Sequence, residues 1–554
     1  MLSLFYQSDD PQRSAFIVEY FLRVLLLCID SVLTLVVYRV FVYPRWISPL
    51  RAFPGPSLGG IIKGQFPAIM NGEAGISQCQ WIAEYGSIVR VVGPIGIERL
   101  IVASPEALHR ILVTNWADYP RPNFMQYTLG VVAGHGLLST SGDNHRRMKK
   151  LLQPAFSAHN VLKYDEMFYG SIDRLVALLT NEVNLERQGK EILMLSYLNR
   201  VAMDIICKTA FGYECGALSE PPNTSKLMEA YERISKEQNG RNATALNAFM
   251  VIPGAGPLSI SDWPYRCCRF LKRIRVFEPV VALFESMNLI KSIISTFLDD
   301  KIAEATDQET HAQEGTPLDM MTILLKARNV EGKKNACPVV VDKKDMLHHV
   351  LTFIAAGHDT SANGLAWALY LLAKNPDVQE QLRAEVSPFC SPDCGRPDIR
   401  KIKQLQYLDC VINESLRLFP PIPMTFRKST KDDHLDGKFV PKGTLIYVPI
   451  RAVGWLKSVW GDDVAEFRPS RWLDLPPGYH PIYSAFLLGP QSCIGKFMAI
   501  LEMKAILASL IGNFEFALAY EGQVAQPTAA ATMISSRTKG WHAASRTALE
   551  LALT

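Results

Sequence analysis

Residues 486–496 read FLLGPQSCIGK and lead into an apolar run through Glu502. This stretch is the strongest indication of fold and chemistry in the chain. A cysteine thiolate needs electropositive, hydrogen-bonding surroundings, and the glycines on either side of Cys493 allow backbone to approach a flat cofactor closely. A single cysteine between glycines is more often structural than catalytic, so the other motifs have to decide between the two interpretations.

A second informative stretch, residues 342–375, is long and apolar all round and is followed by Pro376. Its length and composition predict a buried helix that crosses the core. The sequence AAGHDTS at 355–361 is a polar interruption of that helix. Taken alone it is equally well explained as a cap or a kink, because threonine can bond its own helix backbone and glycine weakens a helix.

Two further motifs carry charge. Glu414 and Arg417 are three residues apart and share one face of a predicted helix, which ordinarily makes a surface ion pair of little energetic value. Residues 142–150, GDNHRRMKK, place five basic or potentially basic groups within six positions. Such a run usually indicates no more than a solvated helix face.

In the order in which they occur along the chain, the four motifs resemble those of the cytochrome P450 family. Residues 486–495 resemble its haem loop, F-x-x-G-x-[RH]-x-C-x-G, and residues 356–361 resemble [AG]-G-x-[DE]-T-[TS]. Glu414 and Arg417 match E-x-x-R, and residues 145–149 take the place of W-x-x-x-R. The resemblance covers nearly the whole chain from the N-terminal apolar segment to the last helix. It implies the cytochrome P450 fold, mainly α with a small β portion, in a single large haem domain.

The resemblance also implies a role for each matching residue. Cys493 would be the metal ligand, binding the iron of haem b as a thiolate whose charge helps O–O cleavage. Asp359 and Thr360 would be catalytic and would deliver protons to dioxygen. The remaining positions are the cofactor-binding residues Phe486, Gly489, Gln491, Gly495, His145 and Lys149, and the structural network Glu414, Arg417 and Arg471, the last from FRPSRW at 467–472.

The chain departs from the family pattern around the haem propionates. His145 and Lys149 stand where the family has tryptophan and arginine, and Gln491 stands where the haem loop commonly has arginine or histidine. Lys149 supplies charge without arginine's planar fork, and Gln491 supplies only neutral hydrogen bonds. We therefore expect the class to be retained and haem binding to be somewhat weaker than usual.

The substrate pocket is expected, by family position, to be lined by apolar side chains. Their character favours a lipophilic substrate such as a terpenoid, a polyketide or a fatty acyl chain, although each residue is as readily explained as ordinary core. The candidates are Phe124, Met125, Val131, Val132, Phe353, Ala356, Thr360, Ile422, Pro423, Met424 and Met533.

The N-terminal region contains an apolar run, FLRVLLLCIDSVLTLVVY at 21–38, interrupted by Arg23 and Asp30. It is about as long as a bilayer-spanning helix requires. A cleaved secretory signal is the main alternative, but the acidic residue inside the run and the lack of a small-x-small cleavage site argue against it. Arginines follow the span, which predicts a catalytic domain facing the cytoplasm. These arginines are Arg39, Arg45 and Arg51.

The predicted organisation has four parts: a lumenal segment at 1–20, a transmembrane anchor at 21–43, a Pro-rich hinge at 44–60 and the haem domain at 61–554. This would be a single-pass protein of the endoplasmic reticulum membrane. Strands are predicted near 87–93 and 99–103. The formal net charge of +4 gives no reason to expect a nucleic-acid partner. The cysteines lack a C-x-x-C pair, which favours reduced thiols.

The function implied by the resemblance is monooxygenation. Electrons would come from NADPH through NADPH-cytochrome P450 reductase, with cytochrome b5 as a further candidate donor. The enzyme would hydroxylate, epoxidise or desaturate a lipophilic small molecule, plausibly in secondary-metabolite biosynthesis. Two alternatives stay open: a membrane haem protein that binds or senses a ligand without turnover, and a haem isomerase that needs no reductase. A requirement for NADPH would separate the three.

Overall fold

The computed structural model describes residues 11–60, 63–184, 190–219, 225–237, 278–307, 320–328, 341–390, 396–475, 485–520, 522–527 and 550–553. Helices dominate these residues and strands form a smaller part, so the predicted mainly α fold with a small β portion is confirmed.

The helices include a long N-terminal element and a long element that crosses the core. They are α1 Pro11–Val37, α2 Phe66–Asn71, α3 Ile76–Tyr85, α4 Pro105–His109, α5 Asn123–Ala133, α6 Gly142–Leu152, α7 Ala158–Val161, α8 Asp165–Asn184, α9 Met194–Phe211, α10 Lys226–Glu237, α11 Glu278–Asp307, α12 Met320–Arg328, α13 Lys343–Lys374, α14 Pro376–Cys390, α15 Ile399–Gln404, α16 Gln406–Leu418, α17 Ile450–Gly454, α18 Lys457–Trp460 and α19 Lys496–Asn513. Wider helical turns occur at Tyr38–Ile47 and Arg110–Thr114, and single 3₁₀ turns at Pro49–Ala52, Pro94–Gly96, Trp116–Asp118, Gln153–Phe156 and Pro469–Trp472.

The strands form three small sheets. They are β1 Ile88–Val92, β2 Glu98–Val102, β3 Lys190–Leu193, β4 Thr425–Lys428, β5 Asp433–Leu435, β6 Lys438–Val440, β7 Leu445–Val448, β8 Phe516–Leu518 and β9 Glu550–Leu553. The largest sheet has the order β1-β2-β7-β4, with β2 and β7 parallel and its other neighbours antiparallel. The other two sheets are β3-β9-β8 and β5-β6. The strands predicted near 87–93 and 99–103 are confirmed as β1 and β2.

Helix α13 crosses the core as predicted. It begins after Asp342, whose carboxylate accepts a hydrogen bond of 2.6 Å from the amide of Asp345, and it ends before Asn375 and Pro376. An acidic cap of this kind satisfies a free amide of the first turn, and proline cannot continue the same helix. The helix is continuous through 355–361, so the polar residues there neither cap nor break it.

The core divides into two hydrophobic clusters. The larger one surrounds α13 and includes side chains of α8, α9 and α19. The smaller one lies between the β1-β2-β7-β4 sheet and the helices and turns that flank it. Phe486 packs against the first cluster and Leu487 against the second. The cysteine loop therefore lies at the boundary between the two clusters.

The N-terminal helix runs beyond the predicted end of the anchor at 43. Helical structure continues from α1 through the wider turns to Ile47, and Glu19–Ile47 is long and apolar enough to cross a membrane while only 6% of its apolar window is buried. A second such stretch, Val281–Glu304, is 44% buried. Arg23 pairs with Glu19 one turn earlier, at 2.6 Å, so the basic interruption of the apolar run has an acidic neighbour.

The predicted hinge at 44–60 is attached to the first strand. The side chain of Arg90 donates to the carbonyl of Pro44 at 2.5 Å, and the amide of Arg90 donates to the carbonyl of Pro54 at 2.8 Å. A side chain at Gly55 would collide with the carbonyl of Arg90. This stretch therefore follows the domain surface closely.

Candidate active site

The loop that carries Cys493 is shaped by its own backbone. The amide of Cys493 donates to the carbonyl of Phe486 at 2.9 Å, and the amide of Ser492 donates to the carbonyl of Gly489 at 3.0 Å. Gly489 has a φ of 72°, and a side chain there would collide with the carbonyl of Leu112. Only glycine suits both the conformation and the close approach. Helix α19 begins three residues after the cysteine.

The Cys493 side chain is exposed although its surroundings are desolvated. Burial raises the pKa of the thiol, while the backbone amide of Gly495 and the charges of Lys149 and Lys496 lower it. The sulfur therefore keeps accessible surface although protein atoms surround it closely. A coordinated metal ion removes the proton from such a thiol outright.

Lys149 reaches the same loop from α6. Its ammonium donates to the carbonyls of Pro490 and Ser492 at 2.9 and 2.6 Å, and to the Ser492 hydroxyl at 3.3 Å. Lys149 therefore holds the residues on either side of Gln491 and brings a positive charge close to Cys493. The prediction that Lys149 binds the cofactor stays a prediction; the contacts in the structure are with the loop.

Two buried arginines, which the sequence analysis missed, lie beside His145. Arg121 and Arg427 are 7% and 1% exposed, and burial lowers their pKa values to about 10 and about 9. Among the described residues neither forms an ion pair, and Nη2 of Arg427 has no hydrogen-bond partner. Nδ1 of His145 and both amide atoms of Gln491 are likewise unpartnered within that part of the chain.

These orphaned groups fit a large anionic cofactor. Buried cations require a compensating anion. Burial, together with the nearby charges of Arg121, Lys149 and Arg427, lowers the pKa of His145 to about 4. Neutral His145 can therefore offer a hydrogen bond, and the two guanidinium groups can offer charge. The carboxylates of haem would satisfy these donors, beside the cysteine that would hold its iron. The sequence around Arg121 and Arg427 is polar or proline-rich and gave no signal for either residue.

The middle of α13 is unusually open for a core helix. Ala355, Ala356, Gly357, Asp359 and Thr360 keep partial exposure, whereas most residues before and after them are buried. The Thr360 hydroxyl donates to the carbonyl of Ala356 at 2.7 Å, which leaves its oxygen lone pairs free to accept a proton donor. The middle of the helix thus leaves small residues and one hydroxyl partly accessible.

Asp359 is held by a residue that the sequence analysis missed. The side-chain amide of Asn363 donates to the backbone carbonyl of Asp359 at 2.7 Å and to its carboxylate at 3.2 Å. Asn363 is buried, and its Oδ1 has no partner among the described residues. The side-chain amide of Asn363 therefore fixes the carboxylate of Asp359, which lies one turn earlier on the same helix.

A buried carboxyl joins α13 to α19. The Ser361 hydroxyl donates to Glu502 at 2.9 Å, and burial raises the pKa of Glu502 to about 8. Glu502 is therefore mostly protonated at neutral pH. Glu502 lies on α19, the helix that follows the Cys493 loop, and Ser361 is next to Thr360 on α13. This bond therefore connects the two halves of the candidate site. A single acid inside an apolar helix was the signal in the sequence.

Glu414, Arg417 and Arg471 form one buried network. The three-residue spacing of Glu414 and Arg417 usually makes a surface ion pair, but here both residues are in the core. Arg417 donates to both carboxylate oxygens at 2.8 Å, and Arg471 donates to one of them at 2.9 Å. Trp472 donates to Glu414 at 2.9 Å. Arg417 also donates to the carbonyls of Gly454 and Val464. A buried ion pair persists only with such complete hydrogen bonding.

The predicted pocket residues divide into two groups. Val131 and Phe353 are buried, and Phe353 stacks on Phe156 with ring centroids 5.3 Å apart. Partly exposed candidates are Phe124, Met125, Val132, Ala356, Thr360, Ile422 and Met424, whereas Pro423 is buried. Phe124 meets Phe426 edge-on, with ring centroids 5.9 Å apart. Met533 lies outside the described residues.

The chain is similar to proteins of one family over most of its length. A family model described as Cytochrome P450 matches residues 54–257 and 268–541. Cytochrome P450 monooxygenase 205 of Postia placenta is 30% identical over 492 residues, which are 85% of this chain and 87% of the relative. Cytochrome P450 monooxygenase sphH of Aspergillus fumigatus is 28% identical, with 87% and 86% covered. A ganoderic acid synthetase of Ganoderma lucidum is 29% identical, with 88% and 93% covered.

Proposed function

This chain belongs to the cytochrome P450 family, and we propose that it is a membrane-anchored monooxygenase that oxidises a lipophilic small molecule with electrons from NADPH. The family implies a haem-thiolate iron cofactor, which supplies the activation of dioxygen when bound. The observation that carries the proposal is the pairing of a desolvated, exposed Cys493 with the open, hydroxyl-bearing middle of α13.

The protein's own contribution begins with binding. Cys493 would hold the iron of haem b, with the loop of Phe486, Gly489, Gln491 and Gly495 close to the ring. Arg121 and Arg427 would bind the propionates, and His145 and Gln491 would add neutral hydrogen bonds. Lys149 would hold the loop in place through its bonds to the carbonyls of Pro490 and Ser492. In this arrangement Arg427 of β4 and Arg121, just before α5, would supply the charge that the family motif places on α6.

The second contribution is proton delivery. Thr360 would hold a proton donor at Oγ1, because its own hydroxyl hydrogen is used by Ala356. Asp359 would accept and release protons. Its carboxylate would be oriented by the hydrogen bond from Asn363. A positioned acid-base pair of this kind typically contributes about a hundredfold or more to a rate. Small residues at 355–357 leave space next to it.

Electron delivery is proposed to use the exposed basic side of α6. Arg146, Arg147 and Lys150 are exposed there, and the partly buried side chain of Lys149 on the same helix reaches the cysteine loop. An acidic surface of NADPH-cytochrome P450 reductase would be steered to such a patch. Cytochrome b5 is a further candidate for the same face. Both interactions would occur on the cytoplasmic side of the endoplasmic reticulum membrane, as the arginines after the anchor predict.

The substrate class is inferred from the relatives and the pocket. Two of the three relatives described above are named as monooxygenases and one as a ganoderic acid synthetase, and all three come from fungi. The candidate pocket residues with partial exposure are mostly apolar. We therefore assign a lipophilic compound of secondary metabolism as substrate.

Carbon monoxide binding and NADPH dependence test this function. In membranes that contain the reductase, the reduced protein should give the shifted carbon monoxide band of a thiolate haem, and Cys493→Ser should abolish the band. Oxidation of a terpenoid or polyketide from a ligand panel should require NADPH. A thiolate band without NADPH-dependent turnover of any spectrally binding ligand would favour a ligand-binding protein. Turnover without NADPH would favour an isomerase.

A further inference from the structure

Four polar residues of helix α1 lie along one side of it. They are Glu19, Arg23, Asp30 and Thr34. At about 100° per residue, the four positions fall within an arc of about 60°. The opposite side of the helix carries exposed apolar side chains, among them those of Leu25, Ile29, Val32 and Val36. We call the line of four residues the polar stripe.

The haem domain does not cover the polar stripe, since the side chains at 19–39 are all exposed. Glu19 and Arg23 pair with each other at 2.6 Å. The Ser31 hydroxyl, outside the stripe, donates to the carbonyl of Leu27 at 2.7 Å. Among the described residues, the side chains of Asp30 and Thr34 have no ion pair or hydrogen bond. The stripe therefore contains a carboxylate and a hydroxyl that its own chain leaves unpartnered.

The depth of Asp30 makes this unpartnered carboxylate costly. Asp30 lies at the middle of the apolar run at 21–38. Ionisable side chains inside a membrane are expensive to leave in lipid, and they almost always face another helix or a polar cavity. If the anchor crosses the membrane as proposed above, Asp30 requires a polar neighbour at its own depth.

The spacing along the stripe suits a pair of helices. One line of residues on α1 is separated alternately by four and three positions, and its members are Glu19, Arg23, Leu26, Asp30, Leu33 and Val37. This repeat keeps one seam of side chains against a partner helix in a left-handed pair. Thr34 lies directly beside that seam. The polar stripe therefore follows a surface that can pack against one other helix along its length.

The polar stripe is complementary to itself. Glu19 is an acceptor and Arg23, one turn later, is a donor; Asp30 and Thr34 repeat this order one turn apart. Two copies of the chain enter a membrane in the same direction, so their seams meet in parallel. Each acceptor then lies near the donor one turn along on the second copy. The two Asp30 carboxyls would share a proton, because two facing carboxylates cannot both stay charged.

We propose that α1 pairs in the membrane with the α1 helix of a second copy of this chain through the polar stripe. The inference rests on the membrane anchor of the proposed function and is independent of the haem chemistry. Such pairing would place two haem domains side by side on the same face of the membrane.

Energy transfer between labelled copies tests the pairing. The full chain carries a donor or an acceptor fluorescent protein at its C-terminus, and transfer is measured in phosphatidylcholine vesicles as the protein is diluted with lipid. Asp30→Leu should raise the dissociation constant of the pair about tenfold, because interhelical hydrogen bonds in a membrane have modest energies. Val32→Leu, on the opposite side of α1, is the matched control and should leave transfer unchanged.

A charge exchange tests direct contact between the copies. Arg23→Glu puts glutamate at both 19 and 23, and Glu19→Arg puts arginine at both. Each variant alone should show several-fold weaker transfer than the wild type, because like charges then face each other. A mixture of the two variants should restore transfer, because every acid then faces a base. Absence of restoration in the mixture would overturn the pairing of these residues.

The remaining outcomes separate this proposal from the proposed function. A chain that fails to float with the vesicles overturns the anchor and the pairing together. A chain that floats, with transfer that is the same in every variant, overturns the pairing and leaves the anchor intact. A labelled leucine-rich helix with one central lysine serves as a further probe. If it binds the wild type more tightly than a second copy does, and Asp30→Leu abolishes that binding, the stripe fits a basic helix and self-pairing is wrong.

Discussion

The ammonium of Lys149 lies among carbonyl groups of the cysteine loop and not in solvent. At this position, where the family motif has arginine, the side chain bonds the Cys493 loop. In the proposed arrangement, the buried arginines of two other segments would provide the cations that an anionic cofactor needs. A charged group bonded to several carbonyls inside a protein is costly to remove, since each such hydrogen bond contributes about 1.5–3 kcal/mol.

Lys149→Met should therefore loosen the Cys493 loop without removing the predicted iron ligand. We expect the thiolate carbon monoxide band to be lost at a temperature several degrees lower than in the wild type. Lys149→Arg should restore part of the loss, because it keeps the charge but fits three converging carbonyl and hydroxyl acceptors less well. The measurement is the fraction of the thiolate band during slow warming. A wild-type profile for Lys149→Met would show that the loop does not depend on this residue.

Thr360 allows a sharper separation of binding from chemistry. Thr360→Ala keeps Cys493, Arg121 and Arg427, so haem content and ligand-induced spectral shifts should stay unchanged. Product per NADPH should fall by on the order of a hundredfold, because the hydroxyl that positions protons is lost, and hydrogen peroxide should take its place. Thr360→Ser, which keeps the hydroxyl, is the matched control. Full coupling in Thr360→Ala would contradict the assigned proton route.

At the scale of secondary-structure elements, the hydrogen bond from Ser361 to Glu502 joins α13 to α19. Burial raises the pKa of Glu502 to about 8, whereas an unfolded glutamic acid titrates near about 4.3. Between these pH values the folded protein binds a proton that the unfolded chain has released. The free energy of unfolding therefore decreases as the pH rises through this window and levels off above the folded pKa.

Glu502→Gln should remove that pH dependence. The amide cannot ionise, and its oxygen can still accept the bond from Ser361, so the variant should unfold at a similar temperature near about pH 4 and should become increasingly more stable than the wild type as the pH rises to about 8. The measurement is the difference between the two unfolding midpoints across this range. A constant difference would mean that Glu502 is already ionised in the folded protein.

Helix α6 couples two surfaces, since its exposed side carries Arg146, Arg147 and Lys150 and its inner side carries Lys149. Arg146 lies over the ring of Trp116, 5.4 Å from the ring centroid, so Lys150 is the cleaner position for charge reversal. Lys150→Glu should slow reduction by the reductase about tenfold at low salt, and less at high salt, because exposed charges are screened. Stopped-flow reduction measures this rate.

The matched control for α6 is Lys442→Glu, which makes the same charge change in an exposed turn between β6 and β7. It should leave the reduction rate near that of the wild type at every salt concentration. Equal slowing in both variants would indicate a general charge effect, and no slowing in Lys150→Glu would leave α6 as an ordinary solvated helix face.

At the scale of the whole molecule, the anchor should place the domain on the cytoplasmic side. Trypsin added to intact microsomes should remove a C-terminal epitope tag and spare an N-terminal tag, because the arginines after the span keep the domain outside the lumen. Both tags should be lost after detergent is added. Protection of the C-terminal tag in intact microsomes would reverse the assigned topology.

Local patterns in the sequence were sufficient for several features. The length and apolar character of residues 342–375 predicted α13 to within a residue at each end, and the strand-like runs near 87–93 and 99–103 predicted β1 and β2. The ordered motifs indicated the family, and the comparisons confirm it. These features depend on periodicity and on residues close together in the chain, which a sequence displays directly.

Tertiary structure alone decided which charges are buried together. Arg121 and Arg427 are about three hundred positions apart in the chain and meet His145 only after β4 and the segment before α5 pack against α6. The spacing of Glu414 and Arg417 by itself indicated a surface pair, and the family resemblance implied a structural network with Arg471. Packing of the 467–472 turn against α16 is what buries both residues. The energy of a charge depends on its dielectric surroundings, and those surroundings come from residues distant in sequence.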